Sequence, residues 1–197
     1  MRNVVCISGT SRPGNYTSRA LAVVVDELGS LGETTHVFDA RELTLGFPGQ
    51  SETADARTLQ QAVADASAVL VASPEYHGGI CAHTKLIIEN LGFPSKLAGK
   101  PVALLGVAAG RIGAIKSLEQ LKGIMGHVGA VVVPGAVSIA GVQQVFDEQG
   151  RCTDEASGRA LQKLAGSLHT FLNDFVCPRH VLEQMVREGG EPWTSSL

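Results

Sequence analysis

Residues 6–18 read Cys6-Ile7-Ser8-Gly9-Thr10-Ser11-Arg12-Pro13-Gly14-Asn15-Tyr16-Thr17-Ser18. They follow a short apolar run, Val4 to Ile7. Beyond them Leu21, Val24, Val25 and Leu28 recur at i, i+3, i+4 and i+7, which puts them on one helix face. The order is strand, small-residue loop, helix. A helix that starts after such a loop points free N–H groups and the positive end of its dipole at whatever binds there, and a phosphate suits both. Thr10, Ser11, Thr17 and Ser18 add hydroxyls, Asn15 an amide and Arg12 a guanidinium. A desolvated guanidinium–phosphate hydrogen bond contributes roughly 1.5–3 kcal/mol. The plainer reading is an ordinary turn, because Gly, Ser, Asn and Pro make turns wherever they cluster. Neither G-x-x-x-x-G-K-[ST] nor G-x-G-x-x-G is present, and Pro13 stands where a G-x-S-x-G nucleophile elbow needs its last glycine.

Outward from this loop the pattern repeats. Strands are expected over 3–7, 35–38, 68–72, 101–107 and 130–133, and helices over 17–28, 54–66, 83–91, 114–128 and 155–175. Strands 68–72 and 101–107 are uninterrupted apolar runs, as parallel strands buried on both faces are. Leu161, Leu164, Leu168, Phe171, Leu172 and Phe175 form one stripe on the last helix and read as core. Strands alternating with helices give an α/β sandwich around a parallel sheet. Five strands in the doubly wound arrangement have the order 2-1-3-4-5, and a ligand then binds where the order reverses, at the carboxyl ends of strands 1 and 3.

At 197 residues the chain fits one domain. It is 44% hydrophobic and 18% charged, which argues against disorder. A net charge of −3 offers no footprint for nucleic acid, and no apolar run is long enough to span a membrane. Cys6, Cys81, Cys152 and Cys177 form no C-x-x-C or zinc spacing. With no signal peptide recognised either, a reducing, cytoplasmic location is expected. Cys6 reads as a small core residue and Cys81 as a thiol near the mouth of the crevice.

The segment after strand 3 is Ser73-Pro74-Glu75-Tyr76-His77-Gly78-Gly79-Ile80-Cys81-Ala82-His83-Thr84-Lys85. Pro74 stiffens its start, Tyr76 offers a flat face, and Gly78-Gly79 exposes backbone groups. A planar ligand needs that pairing of stacking surface and edge hydrogen bonds. The two loops meet at one crevice, so together they describe a molecule with a phosphate at one end and a ring system at the other.

Both loops resemble those of the NADPH-dependent FMN reductase family, a flavodoxin-like group that includes quinone, chromate and azo-dye reductases. Gly9, Thr10, Arg12, Asn15 and Thr17 fall on its approximate G-S-x-R-x-x-S-x-N pattern, with Thr for Ser, Asn for Ser and Thr for Asn. Ser73, Pro74, Glu75, Tyr76, Gly78 and Lys85 match its [ST]-P-E-Y-N-G-S-x-P-G-x-L-K-N segment. His77, Gly79, Cys81, Ala82 and Thr84 depart from it. Residues 107–113 resemble the family's small-residue loop beside the flavin ring.

The resemblance implies a flavodoxin-like three-layer sandwich over residues 1–176, followed by a tail, 177–197, that forms a short helix or an oligomer contact. It implies bound FMN, with the phosphate on Thr10, Ser11, Arg12, Asn15, Tyr16, Thr17 and Ser18. The ring would lie against Pro74, Glu75, Tyr76, His77 and Gly78, beside Ala109 and Gly110. NADPH or NADH would donate electrons, and a quinone, free flavin, metal oxyanion or azo compound would accept them. No side chain is assigned as acid, base or nucleophile and no metal is expected; His77 is the imidazole best placed to donate to reduced flavin or a quinone, and Arg111 would help hold an NADPH phosphate. A homodimer or homotetramer joined through helices 3 and 4, with no nucleic-acid or membrane partner, is implied. Residues 134–154 have no clear pattern and are expected near the flavin or a subunit boundary, and Trp193 would pack on a partner. A flavodoxin-type electron carrier is the alternative.

Overall fold

Along β1 (Asn3–Ser8) side chains alternate between two apolar layers. Val4 and Cys6 face one layer, Val5 and Ile7 the other, and all four are buried. The computed structural model describes residues 2–188. Its remaining strands are β2 (Thr34–Asp39), β3 (Ala68–Tyr76), β4 (Gly79–Ile80), β5 (Pro101–Val107), β6 (Val131–Val132) and β7 (Val137–Ile139). Its helices are α1 (Tyr16–Ser30), α2 (Ala54–Asp65), α3 (Ala82–Glu89), α4 (Ile115–His127), α5 (Glu155–Phe171) and α6 (Cys177–Arg187).

The main sheet runs β2-β1-β3-β5-β6, all parallel, which is the expected 2-1-3-4-5 arrangement. On one face Leu21, Val24 and Leu28 of α1 pack with Leu161, Leu164 and Leu168 of α5. On the other, Leu59, Ile87, Leu121 and Met125 bring in α2, α3 and α4. Each such fully buried side chain contributes about 1.5–3 kcal/mol. Cys6 belongs to this core, and burial pushes its thiol pKa up to about 12.

Several expectations change. The fifth strand is split: β6 pairs the lower part of β5, and β7 pairs the upper part after Pro134-Gly135-Ala136. Proline lacks an N–H for the ladder, and Gly135 has φ +91°, so neither continues a strand. Residues 134–154 are therefore ordered: they hold β7, a 3-10 turn (Val142–Gln144) and a bridge between Phe146 and Cys152. The long terminal helix is also interrupted. A π-helical turn, Leu172–Val176, joins α5 to α6. Its wider winding rotates Phe175 off the stripe, so Leu172 is buried while Phe175 is 62% exposed. No residue of α6 is buried, and Val181, Leu182, Met185 and Val186 are exposed. Trp193 lies outside the described residues. No helix among the described residues is long and apolar enough to cross a membrane.

At the amino end of β1 a polar network joins four elements. The Glu33 side chain is fully buried and receives Arg2 Nε at 3.0 Å, a second Arg2 nitrogen, and His169 Nδ1 at 2.7 Å. Asn173 lies 2.9 Å from His169 Nε2 and also accepts from Arg2, whose Nη1 is 3.6 Å from Cys177 Sγ.

Candidate functional site

The first loop is shaped by the residue that caps the helix after it. Asn15 Oδ1 accepts from Ser18 N at 2.7 Å, and its amide donates to Arg12 O at 2.8 Å. This satisfies one of the free N–H groups of α1. Those of Tyr16 and Thr17 have no partner among the described residues. Asp39, at the end of β2, sits beneath. Burial works against its carboxylate, but hydrogen bonds and charge from Arg41, with a bond from Ser18, hold its pKa below the usual range.

The second segment is not a loop at its start. β3 runs on through Ser73, Pro74, Glu75 and Tyr76, then reverses at His77-Gly78 into β4. Both turn residues have positive φ, 52° and 76°, as a two-residue type I′ hairpin requires. The family pattern has Asn at position 77, which adopts that conformation readily; histidine does so at modest strain. His77→Val, β-branched at positive φ, should lower stability by about 1–2 kcal/mol, and His77→Asn should match or exceed the parent. Thermal unfolding of both variants checks this; equal melting temperatures would refute it.

The hairpin is braced by α4. Gln120 Oε1 accepts from Ile80 N at 2.8 Å, and a Cβ on Gly79 would stand 2.8 Å from that oxygen. Glu75 Oε2 accepts from Ser117 N at 3.1 Å, and Ser138 Oγ of β7 accepts from Ala114 N at 2.8 Å. No side chain within α4 caps its start, so two other strands do so.

The two loops are joined directly. Buried Thr84, in α3, donates to Gly9 O at 2.8 Å and lies 3.0 Å from Ser73 Oγ. Gly9 N donates to Ala72 O at 2.9 Å. Nearer the surface Thr10 Oγ1 is 3.3 Å from Tyr76 OH. A cleft of about 640 Å³ opens between them, lined by Thr10, Ser11, Arg12, Tyr76, His77, Ile80, Cys81, Ala82 and His83. A second hollow of about 630 Å³ lies on the α4 side of the hairpin and shares Tyr76, His77 and Ile80. A groove of about 650 Å³ along α6, lined by Phe175, Leu182 and Val186 together with Asp174, Arg179, Glu183 and Arg187, shares no residue with the cleft.

Not every anticipated side chain faces the cleft. Ser18 Oγ is 2.8 Å from Ser8 Oγ and 3.4 Å from Asp39 Oδ2. The Tyr16 ring packs 6.3 Å from Phe146, with the Arg19 guanidinium 5.2 Å above it. Glu75 is spent on α4, and Thr17 and Pro74 are buried. Ala109 and Gly110 are exposed after β5, whose Val107 pairs with Pro74. Cys81 lines the cleft but is only 5% exposed, so it is not at the mouth. Ile80, Ala82 and His83 line the cleft without having been anticipated there; His83, in the first turn of α3, holds its Nδ1 3.2 Å from Ser11 Oγ. The sequence signal for it was its place at the start of a helix that follows a switch-point strand.

This arrangement suits a phosphorylated planar group. Arg12, the N–H groups of Tyr16 and Thr17, and the hydroxyls of Thr10 and Ser11 match a phosphate; the half-exposed Tyr76 ring and the hairpin backbone match a flat ring.

A family model described as NADPH-dependent FMN reductase matches residues 2–144. The NAD(P)H-dependent FMN reductase PA1204 of Pseudomonas aeruginosa is 27% identical over 180 residues, covering 86% of this chain and 94% of that protein. An NADPH azoreductase of Bacillus sp. is 28% identical over 148 residues, covering 75% and 82%. A 2-hydroxy-1,4-benzoquinone reductase of Burkholderia sp. is 26% identical over 157 residues, covering 75% and 85%. Among solved structures FerB, a flavoenzyme NAD(P)H:(acceptor) oxidoreductase from Paracoccus denitrificans, superposes with a TM-score of 0.73 at 22% identity, covering 88% of this chain and 98% of that one.

Proposed function

The chain belongs to the NADPH-dependent FMN reductase family, and from that premise we propose that it binds FMN in the cleft between residues 10–18 and 74–78 and reduces small acceptors of the quinone or azo type. It is an NAD(P)H-dependent flavin oxidoreductase rather than a plain flavodoxin carrier. FMN, when bound, would supply the electron-transfer chemistry between NAD(P)H and an acceptor. The chain's own residues bind and orient. Arg12 and the start of α1 hold the phosphate. Tyr76, fixed through its hydroxyl by Thr10, presents the ring face. The hairpin at His77-Gly78 lines the ring's edge, with the loop of Ala109 and Gly110 after β5 as its neighbour in the family pattern. The names of the azo and quinone reductases above favour those acceptor classes.

The observation that carries this reading is the 3.3 Å approach of Thr10 Oγ1 to Tyr76 OH. It joins the phosphate loop and the ring platform in one cleft. The four free cysteines suit a reducing cytoplasm. Ile112 and Ile115, exposed before and at the start of α4, suit burial in a homodimer or homotetramer. The test is the visible absorption of purified protein mixed with FMN, then anaerobic addition of NADPH or NADH. Flavin should bind and bleach. Arg12→Ala should weaken FMN by about 10–100-fold, the equivalent of one lost charge-assisted bond. Protein that retains no FMN, or bound flavin that no pyridine nucleotide bleaches, would overturn the reading.

A further inference from the structure

The Ser11 hydroxyl, one of the groups suited to the FMN phosphate, also reaches His83, which is assigned to neither the phosphate nor the ring. The two residues come from different elements, 72 residues apart, and meet at the lip of the cleft with Ser11 Oγ 3.2 Å from His83 Nδ1. His83 is exposed, and its Nε2 has no partner among the described residues. A hydroxyl is both donor and acceptor. Ser11 therefore accepts from Nδ1–H of a charged ring and goes on accepting once Nε2 has given up its proton, and it can donate to Nδ1 of the other neutral tautomer. The ring keeps one orientation in either protonation state, with Nε2 turned away from Ser11. His77, the imidazole anticipated from sequence, has no such anchor among the described residues and sits at the hairpin corner with φ 52°.

We propose that His83 supplies, from Nε2, the proton that a quinone needs in addition to its hydride, and that Ser11 is its positioning residue. This rests on the oxidoreductase reading above. The stoichiometry requires a donor of this kind. NAD(P)H loses one C–H bond and releases two electrons and one hydrogen as a hydride equivalent. A quinone becoming a hydroquinone takes two electrons and forms two O–H bonds. One hydrogen is thus unaccounted for, and it arrives as a proton. Nε2 gives it up, the ring is left neutral, and water restores it. Histidine is the side chain whose ordinary charge change lies near neutral pH. The other ionisable groups lining the cleft are Arg12, Tyr76, His77 and Cys81. Arginine stays charged at neutral pH, Cys81 is nearly buried, and the Tyr76 hydroxyl is engaged by Thr10.

The experiment compares two acceptors on FMN-loaded enzyme with NADPH: 1,4-benzoquinone, which takes up protons, and ferricyanide, which takes one electron and none. His83→Gln should lower kcat with the quinone by about 10–100-fold, within the usual range for general acid catalysis. With ferricyanide the loss should stay within a few-fold. The parent's kcat with quinone should fall as pH rises, and the variant's should not. Ser11→Ala should lose less than His83→Gln and keep the pH dependence. FMN affinity, read from quenching of flavin fluorescence, should stay within about tenfold of the parent in His83→Gln. Equal losses with both acceptors, no loss with quinone, or FMN bound more than tenfold weaker would each overturn the proposal. Parent enzyme that reduces ferricyanide but not quinone would overturn it alone. Parent that reduces neither would take the oxidoreductase reading down with it.

Discussion

Arg2→Met should lower the free energy of unfolding by about 3 kcal/mol, although Arg2 lies at the far end of β1 from the cleft. Glu33 is fully buried in its side chain, and Arg2 is 23% exposed. The carboxylate has been removed from water, and only its partners compensate. Removing one partner of a buried pair costs about 3–5 kcal/mol, because the remaining charge stays buried; the partial exposure of Arg2 places this case at the lower end. Burial disfavours the charged guanidinium, but the Glu33 bonds and charge outweigh that and raise the Arg2 pKa. His169 would then be the main remaining partner of Glu33. The double replacement Arg2→Met with Glu33→Leu should recover most of the loss, since an apolar pair of similar volume leaves no charge stranded. Urea unfolding of the parent, the single and the double variants checks this. A single variant within about 0.5 kcal/mol of the parent would mean that water reaches Glu33. Because Arg2 also touches Asn173 and Cys177, amide exchange in α6 should quicken in Arg2→Met.

The second large effect is expected at Gly9. A methyl group there would lie 2.1 Å from Thr84 Oγ1 and 2.9 Å from Ala72 O. The first neighbour is a short side chain whose hydroxyl is tied to Gly9 O and Ser73 Oγ; the second is backbone of a central strand. Neither yields cheaply. Gly9→Ala should therefore cost about 3 kcal/mol, combining overpacking with loss of the Thr84 bond. For a chain of this length that is a fall of about 6–12 °C in melting temperature. Thr84→Ala in the same protein should relieve only the nearer clash and rescue in part. FMN affinity should fall with stability in Gly9→Ala, because the contact it breaks holds the phosphate loop to the ring platform. A variant that melts with the parent would show that the two loops are not packed as described.

Much of this molecule was legible in the chain itself. The apolar runs at 68–72 and 101–107, the alternation along 3–7 and the stripe of Leu161, Leu164 and Leu168 each express a local rule. Their strand order and the place of the cleft follow from how parallel strands connect. The same holds for the meeting of the two loops at one cleft. Tertiary structure alone decided the rest, for one reason: each feature depends on partners far apart in sequence. Glu75 caps α4 across 42 residues, Thr84 reaches Gly9 across 75 and Ser11 meets His83 across 72. Composition and periodicity report which face of an element is apolar; they carry no record of which hydroxyl on one element a distant imidazole or helix end will find. That is why the cleft was foreseeable and the partners of Glu75, Ser18 and His83 were not.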